Sequence, residues 1–327
     1  MGGGAAWRAG GSVHSGAAER SGETVLSIDI GGTKTLVGIV SRSGEVLLEA
    51  TQSTRCAGGD EIERALRFGC EFAASSSALA LAPPLAVVAG VPEYVSAQGT
   101  VDSCEVLTWN RQPAEVLAEI VSESAAPGAQ EQSHSRIPTA IGSDVRMGAL
   151  GEARYGAGIG LPSFFYVSLG TGLSSAFVVD SVPWAGARGQ AIALGEFAVA
   201  PGRNLERTSS GTALAERYAE ATGEHVTGPE IVRRAAHGDA AAVNVLRSAG
   251  EALGDALADT TELLDPHGIV VGGGLGSAET PVMEAARDRY DLRTGRRPGA
   301  APLLRAACGP RSALLGGAAA AWRLVGA

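Results

Sequence analysis

Apolar runs separated by glycine-rich turns recur along the chain and predict its first elements. Residues 25–30 are almost continuously apolar, and a second run at residues 36–40 follows a Gly-Gly-Thr turn. Short apolar runs bounded by turn residues are typical of buried strands. The pair therefore predicts a β-hairpin, and residues 45–51 are a candidate for a third strand of the same sheet.

The pattern then changes to a helical period. Apolar residues recur at helical spacing over residues 60–80, where Asp60 is suited to cap the first turn. A buried strand is predicted at residues 85–90 and a short helix at residues 113–121. Residues 23–140 thus alternate between strands and helices, which indicates an α/β layer structure.

The second half of the chain repeats the hairpin pattern. Strands predicted at residues 163–169 and 174–180 flank the turn Gly170-Thr171-Gly172, and an apolar strand runs into Gly272-Gly273-Gly274. Helices are predicted at residues 145–155, 205–222, 228–237, 240–264 and 312–324. Two hairpins of one kind, one in each half, predict a duplicated two-domain fold with a cleft between the halves.

Composition argues against several classes of function. The chain has 327 residues, 45% of them hydrophobic and 19% charged, which predicts a folded protein of two domains. The formal charge of −9 argues against a nucleic-acid-binding protein, and no apolar stretch is long enough for a membrane span. The four cysteines lack metal-site spacing, so neither disulfides nor a zinc site is expected, and the cytoplasm is the expected compartment. Residues 1–22 are expected to form a flexible tail.

Three glycine-rich turns carry the candidate chemistry, and each follows an apolar strand: Gly31-Gly32-Thr33, Gly170-Thr171-Gly172 and Gly272-Gly273-Gly274. Glycine lets backbone N–H groups approach a ligand closely, and a nucleoside triphosphate needs such donors from more than one side. The alternative is that all three are ordinary tight turns. Lys34, the only lysine in the chain, closes the first turn as either a phosphate-binding charge or a surface residue.

The order and spacing of these motifs resemble the ROK family of sugar kinases, a branch of the actin-like ATPase superfamily, over nearly all of residues 24–325. The matching segments are Asp29-Ile30-Gly31-Gly32-Thr33-Lys34, Ala89-Gly90-Val91-Pro92, Ser143-Asp144 with the helix that follows, and the second and third glycine turns. The resemblance implies ATP and Mg²⁺ as cofactors and a homodimer. It also implies a smaller domain at residues 23–140, against which helix 312–325 packs, and a larger domain at residues 141–311.

Within this resemblance, Asp144 matches the catalytic aspartate, which accepts the proton of the attacking hydroxyl. Its alternative role is a helix cap, because Ser143 and Asp144 directly precede a predicted helix. Asp29 matches the residue that holds Mg²⁺ through a water molecule, since Mg²⁺ keeps several of its waters. The three glycine turns would bind the nucleotide, whereas Gly90, Pro92 and Ser143 match residues on the acceptor side of the site.

The segment from Gly186 to Pro201 departs from the family pattern, in which a glutamate and a histidine grip sugar hydroxyls. An ungapped match places Ala193 and Glu196 at those positions, and a gapped match places Glu196 and Val199 there. One of the two sugar-binding groups is lost in either case. Glu196 is therefore a candidate acceptor ligand, and its alternative is a solvated surface residue.

The chain departs from the family pattern at three further places. Residues 202–206 occupy the place of the family's zinc-binding cysteines but keep a Leu-Glu pair that contacts sugar, so Glu206 is a second acceptor candidate and no structural zinc is expected. Glu93 stands where glycine is usual. Ser174 and Ser175 replace glycines after the second turn, which puts tight phosphate binding in question.

These observations predict an ATP-dependent kinase that phosphorylates a hydroxyl, preferably a primary one, of a small polyol such as a sugar or sugar-like cyclitol. Loss of one hydrogen-bonding group disfavours the usual substrate strongly. A C7-cyclitol (valiolone-type) 7-kinase of secondary metabolism is the most specific interpretation. A hexose or N-acyl-hexosamine kinase is one alternative. A non-catalytic sugar sensor or regulator is another, although the residues before the first strand lack the basic pattern of a DNA-binding domain.

Overall fold

The computed structural model describes residues 22–76, 82–124, 137–295 and 299–326. The tail predicted at residues 1–22 therefore lies outside the described residues, except for Gly22. The chain divides into two compact units. The first runs through Met147 and resumes at Gly317, and the second comprises Gly148–Gly316.

The first unit is built from short strands, two complete helices and parts of two others. Its elements are β1 (Val25–Ile30), β2 (Lys34–Val40), β3 (Val46–Ser53), α1 (Glu61–Ser76), β4 (Val87–Val91), α2 (Pro113–Ser124), β5 (Thr139–Ser143), the start of α3 (Asp144–Tyr155) and most of α10 (Ser312–Leu324). The sheet order is β3-β2-β1-β4-β5. Strands β1, β2 and β3 are antiparallel neighbours, whereas β4 and β5 run parallel to β1.

The core of this unit lies between the sheet and helices α1 and α2, where Ile28, Leu66 and Leu117 are fully buried. Helix α1 begins as predicted, since Asp60 Oδ1 accepts a hydrogen bond from the Glu63 amide at 2.7 Å. Gly69 of the same helix lies directly on the sheet, because a Cβ there would be 2.4 Å from Ile28 Cδ1. This packing holds β1 firmly, so groups at its carboxyl end rest on a rigid strand.

The second unit contains more helix. Its elements are the rest of α3, β6 (Ser163–Leu169), β7 (Leu173–Val179), β8 (Val182–Pro183), β9 (Ala198–Ala200), β10 (Arg203–Asn204), α4 (Glu206–Ser209), α5 (Gly211–Thr222), α6 (Gly228–Ala236), α7 (Ala240–Leu264), β11 (Ile269–Gly272), α8 (Gly273–Gly276), α9 (Pro281–Thr294), β12 (Leu303–Arg305) and the start of α10. Helix α7 packs along α9 with close backbone contact. A Cβ at Gly250 would be 2.3 Å from Val282 O, and one at Gly254 would be 2.5 Å from Ala286 O.

The main sheets of the two units share one topology. The second sheet has the order β12-β11-β6-β7-β8, in which β6, β7 and β8 are antiparallel neighbours and β11 and β12 are parallel to β6. Strands β6, β7, β8, β11 and β12 thus correspond to β1, β2, β3, β4 and β5. The predicted duplication of an α/β fold, with one glycine-turn hairpin in each copy, is confirmed.

Two predicted elements differ from those observed. The single helix expected at residues 205–222 is broken into α4 and α5, because Ser210 is extended (ψ 160°) and its Oγ accepts a hydrogen bond from the Ala213 amide at 3.2 Å. The expected turn after β11 is instead the one-turn helix α8. Within the described ranges, none of the helices has the length and apolar character needed to cross a membrane.

Candidate active site

The carboxyl ends of β1, β4 and β5 bring together the predicted site residues of the first unit. Asp29 pairs with Gly90 in the parallel register of β1 and β4, and Gly90 pairs in turn with Gly142 of β5. Ser143 is the buried last residue of β5, and Asp144 is the first residue of α3. Asp29 and Asp144 therefore lie at the same edge of one sheet, where ligands of α/β proteins commonly bind.

Gly90 makes room for the start of α3. A Cβ at Gly90 would be 3.3 Å from Asp144 Cα and 3.5 Å from Met147 Cγ. Because both neighbours are held by the helix, a larger residue would push the Asp144 backbone away from the sheet. Gly90 thus acts through the position of Asp144. Pro92, two residues further on, is half-buried just beyond the end of β4.

Asp144 is a carboxylate in a poorly solvated position. Loss of solvent, together with the negative charges of Asp29 and Glu93, raises the pKa of Asp144 to about 7 against the opposing hydrogen bond from the Val145 amide. That amide donates to Asp144 Oδ1 at 2.6 Å. A helix cap would accept from an amide two or three residues on, and among the described residues Asp144 accepts from Val145 alone. Its geometry therefore does not match the capping alternative.

Asp29 is the second poorly solvated carboxylate. Burial raises the pKa of Asp29 to about 6, against the opposing positive charge of Lys34. No group in the described part of the chain donates a hydrogen bond to the Asp29 carboxylate. A desolvated carboxylate without donors is suited to a hydrated cation such as Mg²⁺, which is bound through one or two carboxylates and keeps its waters. The residues present therefore fit the predicted metal.

The first glycine turn is closed by a backbone hydrogen bond from Gly31 N to Lys34 O at 3.0 Å. Thr33 and Lys34 are exposed at its tip. A Cβ at Gly32 would be 3.0 Å from Val106 Cγ1, which belongs to the loop that follows residue 102. The turn is therefore closely packed against Val106 at Gly32, whereas Thr33 and Lys34 are exposed to solvent.

The second and third glycine segments are neighbours in the second unit. They follow the parallel strands β6 and β11, and a Cβ at Gly170 would be 3.7 Å from Gly274 N. Gly273 has a φ of 79°, and a Cβ there would be 2.3 Å from Leu169 O, so glycine is required. The two segments that the sequence assigns to the nucleotide thus converge at one sheet edge, with Thr171 and Gly274 exposed.

The start of α5 supports the second turn. The sequence did not predict this contact, because residues 205–222 were expected to form a single helix. Gly211 N donates to Gly170 O at 2.8 Å, and Thr212 N donates to Thr171 O at 3.1 Å. A Cβ at Gly211 would be 2.8 Å from Gly170 O. The Ser-Gly pair at residues 210–211 was the available signal, because Ser before Gly inside a predicted helix marks a new helix start.

The segment predicted to choose the acceptor is bonded to the second hairpin. Ser175 of β7 is buried, and its Oγ donates to Ile192 O at 2.6 Å and accepts from Leu194 N at 3.2 Å. Ser174, which precedes it, is exposed. Ser175 therefore holds residues 192–194 against strand β7 through two hydrogen bonds. The serine that replaces the family's glycine at this position thus has a structural role.

The two candidate acceptor glutamates differ in their surroundings. Glu206 Oε1 accepts a hydrogen bond from Leu173 N at 3.1 Å and lies against Gly172, so this carboxylate supports the second turn. Glu196 is exposed, and its Oε2 accepts from Asn204 Nδ2 at 3.1 Å. Asn204 belongs to the small β9–β10 pair. Across the described residues, no three His, Cys, Asp or Glu side chains converge as a metal site.

Known proteins resemble the chain over almost its whole length. The sequence profile of the ROK family matches residues 25–323. The chain belongs to the ROK family. It is 27% identical over 328 residues to a glucokinase of Streptomyces coelicolor, an alignment that covers 90% of this chain and 96% of that enzyme. It is 27% identical over 310 residues to a kanosamine kinase of Amycolatopsis mediterranei, with coverage of 90% and 95%.

A solved structure extends the comparison to the fold. The ROK family glucokinase from Streptomyces griseus, in complex with glucose and AMPPNP, superposes with a TM-score of 0.74 at 26% identity, covering 92% of this chain and 99% of that one. The predicted fold class of the actin-like ATPases and the predicted reaction class, an ATP-dependent sugar kinase, are therefore confirmed.

Proposed function

We propose that this ROK family member transfers a phosphoryl group from ATP to a hydroxyl of a sugar-like polyol, with Asp144 as the base. The observation that carries the proposal is the pair of poorly solvated carboxylates, Asp29 and Asp144, at one sheet edge. A base works best when its pKa lies near the operating pH, and the pKa of Asp144 is raised to about 7. Asp144 accepts the hydroxyl proton as the phosphoryl group is transferred.

The other residues bind and orient the reactants. Asp29 holds Mg²⁺ through a water molecule, and the metal, when bound, neutralises phosphate charge. The Gly31 amide is used to close the turn, so the Gly32 amide and Lys34 contact phosphates, and Lys34 acts as a point charge from the exposed tip of the turn. The glycine segments at residues 170–172 and 272–274 bind the nucleotide, with the Thr171 hydroxyl as an additional donor.

The acceptor differs from that of ordinary glucokinases. The acceptor segment has lost one of two sugar-gripping groups, and Glu196, one of the polar residues that it exposes, is held by Asn204. A site with a changed hydrogen-bonding group rejects the usual substrate by a large factor. We therefore assign the acceptor as a C7-cyclitol of the valiolone type, phosphorylated at its primary 7-hydroxyl, because a cyclitol lacks the ring oxygen and hemiacetal of glucose.

A hexose or hexosamine kinase is the second candidate. The similarity to a kanosamine kinase, which covers 90% of this chain, favours an amino-substituted hexose, since an exposed carboxylate such as Glu196 would attract an ammonium group. A non-catalytic sensor is less well supported, because Asp29, Asp144 and the glycine turns are all retained. A homodimer, a cytoplasmic location and the absence of nucleic-acid binding remain predictions.

The deciding experiment is an ADP-release assay with valiolone-type C7-cyclitols, glucose, kanosamine and N-acyl-hexosamines, run beside Asp144→Asn. The proposal expects the cyclitol to be the best acceptor and Asp144→Asn to lose at least 100-fold in kcat. Preference for an aminohexose would replace the cyclitol assignment and leave the kinase assignment in place. Equal turnover by the variant, or no turnover on any acceptor, would overturn the proposed function.

A further inference from the structure

Glu93 is a buried carboxylate that organises a loop. Its side chain is 6% exposed, and it follows Pro92 directly. Glu93 Oε1 accepts hydrogen bonds from the amides of Val106 and Leu107, each at 2.8 Å. Its Oε2 accepts from the Glu105 amide at 3.0 Å and from the Ser103 hydroxyl at 2.5 Å. One carboxylate thus receives four donors from residues 103–107, hereafter the acceptor loop.

The end of the acceptor loop is held by a second glutamate. Glu61 Oε2 accepts from the Thr108 amide at 3.0 Å, and Arg55 bridges Glu61 to the loop through a 2.8 Å hydrogen bond to Val106 O. The four consecutive amides from Glu105 to Thr108 therefore all donate to carboxylates. Successive N–H groups that point to one side form a concavity for an anion, and here the anion is the protein's own Glu93.

The acceptor loop lies beside the first glycine turn. Val106 contacts the first glycine turn, because its Cγ1 is 3.0 Å from the position of a Cβ at Gly32. Glu93 follows Gly90, which lies against Asp144 Cα, and the negative charge of Glu93 is one of the causes that raise the pKa of Asp144. Cys104, Glu105 and Val106 are exposed on the loop, so their side chains are available to a bound molecule.

The position of Glu93 explains why a charged residue is tolerated in a buried place. An isolated buried carboxylate is costly, but four donors replace its lost hydration. Without the carboxylate, the three loop amides lose their acceptors together, and nothing else among the described residues takes their place. The loop conformation therefore depends on this one side chain.

We propose that Glu93 is a positioning residue for acceptor recognition, because it fixes the conformation in which the acceptor loop lies beside the first glycine turn. The inference rests on the proposed function, since it assigns the loop to the polyol substrate of the same reaction. Glu93 itself is covered by the loop, and it acts through the loop and through its charge.

The test compares Glu93→Gln with Glu152→Gln. Glu152 is a matched control, because it is 0% exposed and its carboxylate also accepts from one serine hydroxyl, Ser312, and three amides, those of Ala157, Ala307 and Cys308. A glutamine keeps the size of either side chain but turns an NH₂ group toward backbone N–H donors. Both variants should lose stability, so stability alone does not distinguish positioning from scaffolding.

Kinetics with the best acceptor and ATP make the distinction. Glu93→Gln should raise the acceptor KM at least 10-fold and change the ATP KM less than 2-fold. It should also move the acid limb of kcat/KM to lower pH, because a negative charge near Asp144 is removed. Glu152→Gln should leave the pH limb and the ratio of the two KM values unchanged. Hydrogen exchange should speed up at the amides of residues 105–107 in Glu93→Gln and not in the control.

Milder variants keep the test usable if either glutamine variant fails to fold. Ser103→Ala removes one donor from Glu93, and Ser312→Ala removes one from Glu152. Ser103→Ala should raise the acceptor KM about 3-fold, with Ser312→Ala unchanged. A folded Glu93→Gln or Ser103→Ala with wild-type acceptor KM and pH limb overturns the inference and leaves the proposed function standing. Absence of turnover by the wild-type protein overturns both.

Discussion

The Asp29 carboxylate raises the pKa of Asp144, although strand β4 separates the strands that carry them. Two strand spacings correspond to roughly 10 Å, a gap that a metal-bound phosphate and a sugar-sized hydroxyl carrier can occupy. The two carboxylates therefore share one desolvated edge of the first sheet without competing for the same ligand. In the proposed function, Asp144 is the base and Asp29 binds the hydrated cation.

The first prediction concerns the pH dependence of the reaction. Since kcat/KM reports ionisations of the free enzyme, and the pKa of Asp144 is raised to about 7, kcat/KM should fall about 10-fold per pH unit well below pH 7. The measurement is a series of ADP-release rates at subsaturating acceptor between pH 5 and 9, at constant ionic strength. A rate that stays flat down to pH 5 would show that Asp144 is ionised far below the range its surroundings dictate.

The second prediction concerns stability, and its sign follows from the same pKa. The folded protein holds a proton on Asp144 up to about pH 7, whereas the unfolded chain loses it near pH 4. The free energy of unfolding therefore decreases as pH rises from about 4 to about 7, and ionised Asp144 is destabilising above that range. Asp144→Asn should be more stable than the wild type by about 1–4 kcal/mol at pH 8, and the gain should shrink toward pH 5.

Urea unfolding at pH 5 and pH 8 checks this prediction, and Asp255→Asn is the control of opposite sign. The pKa of Asp255 is lowered, with hydrogen bonds from Arg289 and Arg293 outweighing the effect of burial. Its ionised form therefore stabilises the fold above the unfolded pKa, and Asp255→Asn should lose stability at pH 8. A loss of stability in Asp144→Asn at pH 8 would contradict the assignment of Asp144 as a desolvated carboxylate.

The strands and glycine turns were predictable because their signals are local. Short, mostly apolar runs such as residues 25–30 and 163–169 favour strands over helices when turn residues bound them so closely. The break at Ser210 was not predicted, since helical periodicity continues on both sides of it and only the Ser-Gly pair marks the new cap. The local sequence pattern therefore predicted the strands and helices but not every boundary between them.

Site residues were predictable only where they lie in a motif. Asp29 lies near the end of β1 and Asp144 directly follows β5, each in a recognisable run. Their shared sheet edge, however, depends on the order of the strands, which a single sequence does not encode locally. Glu93 was noted only as a departure from glycine. Its four donors come from residues 10 to 14 positions later, in a loop with no periodic pattern, so its role emerges from the folded chain alone.

The third prediction tests the nucleotide side with two adjacent glycines. Gly273→Ala should be strongly destabilising and should weaken ATP binding, because the residue has a φ of 79° and its Cβ would be 2.3 Å from Leu169 O. Gly274→Ala is the control, because a Cβ there meets nothing within 4 Å. Thermal unfolding should show a loss of about 2 kcal/mol or more in the first variant and hardly any in the second, so the second variant controls for backbone strain. Equal losses of stability in the two variants would show that the left-handed backbone of Gly273 is not the source of the strain.

The fourth prediction concerns Glu196, the exposed carboxylate of the acceptor segment. If its carboxylate accepts a hydrogen bond from the polyol, removal should cost about 1.5–3 kcal/mol, which corresponds to a rise of roughly 10- to 100-fold in the acceptor KM of Glu196→Ala. Asn204→Ala should also raise the acceptor KM, but less, because Asn204 only orients the carboxylate through its 3.1 Å hydrogen bond.

Glu220→Ala is the matched control, since Glu220 is an exposed glutamate paired with Arg203, the neighbour of Asn204, at 3.1 Å. Steady-state kinetics with acceptor and ATP varied separately give both KM values. An acceptor KM in Glu196→Ala no higher than that in Glu220→Ala would assign Glu196 to the solvated surface and move the choice of acceptor to other residues.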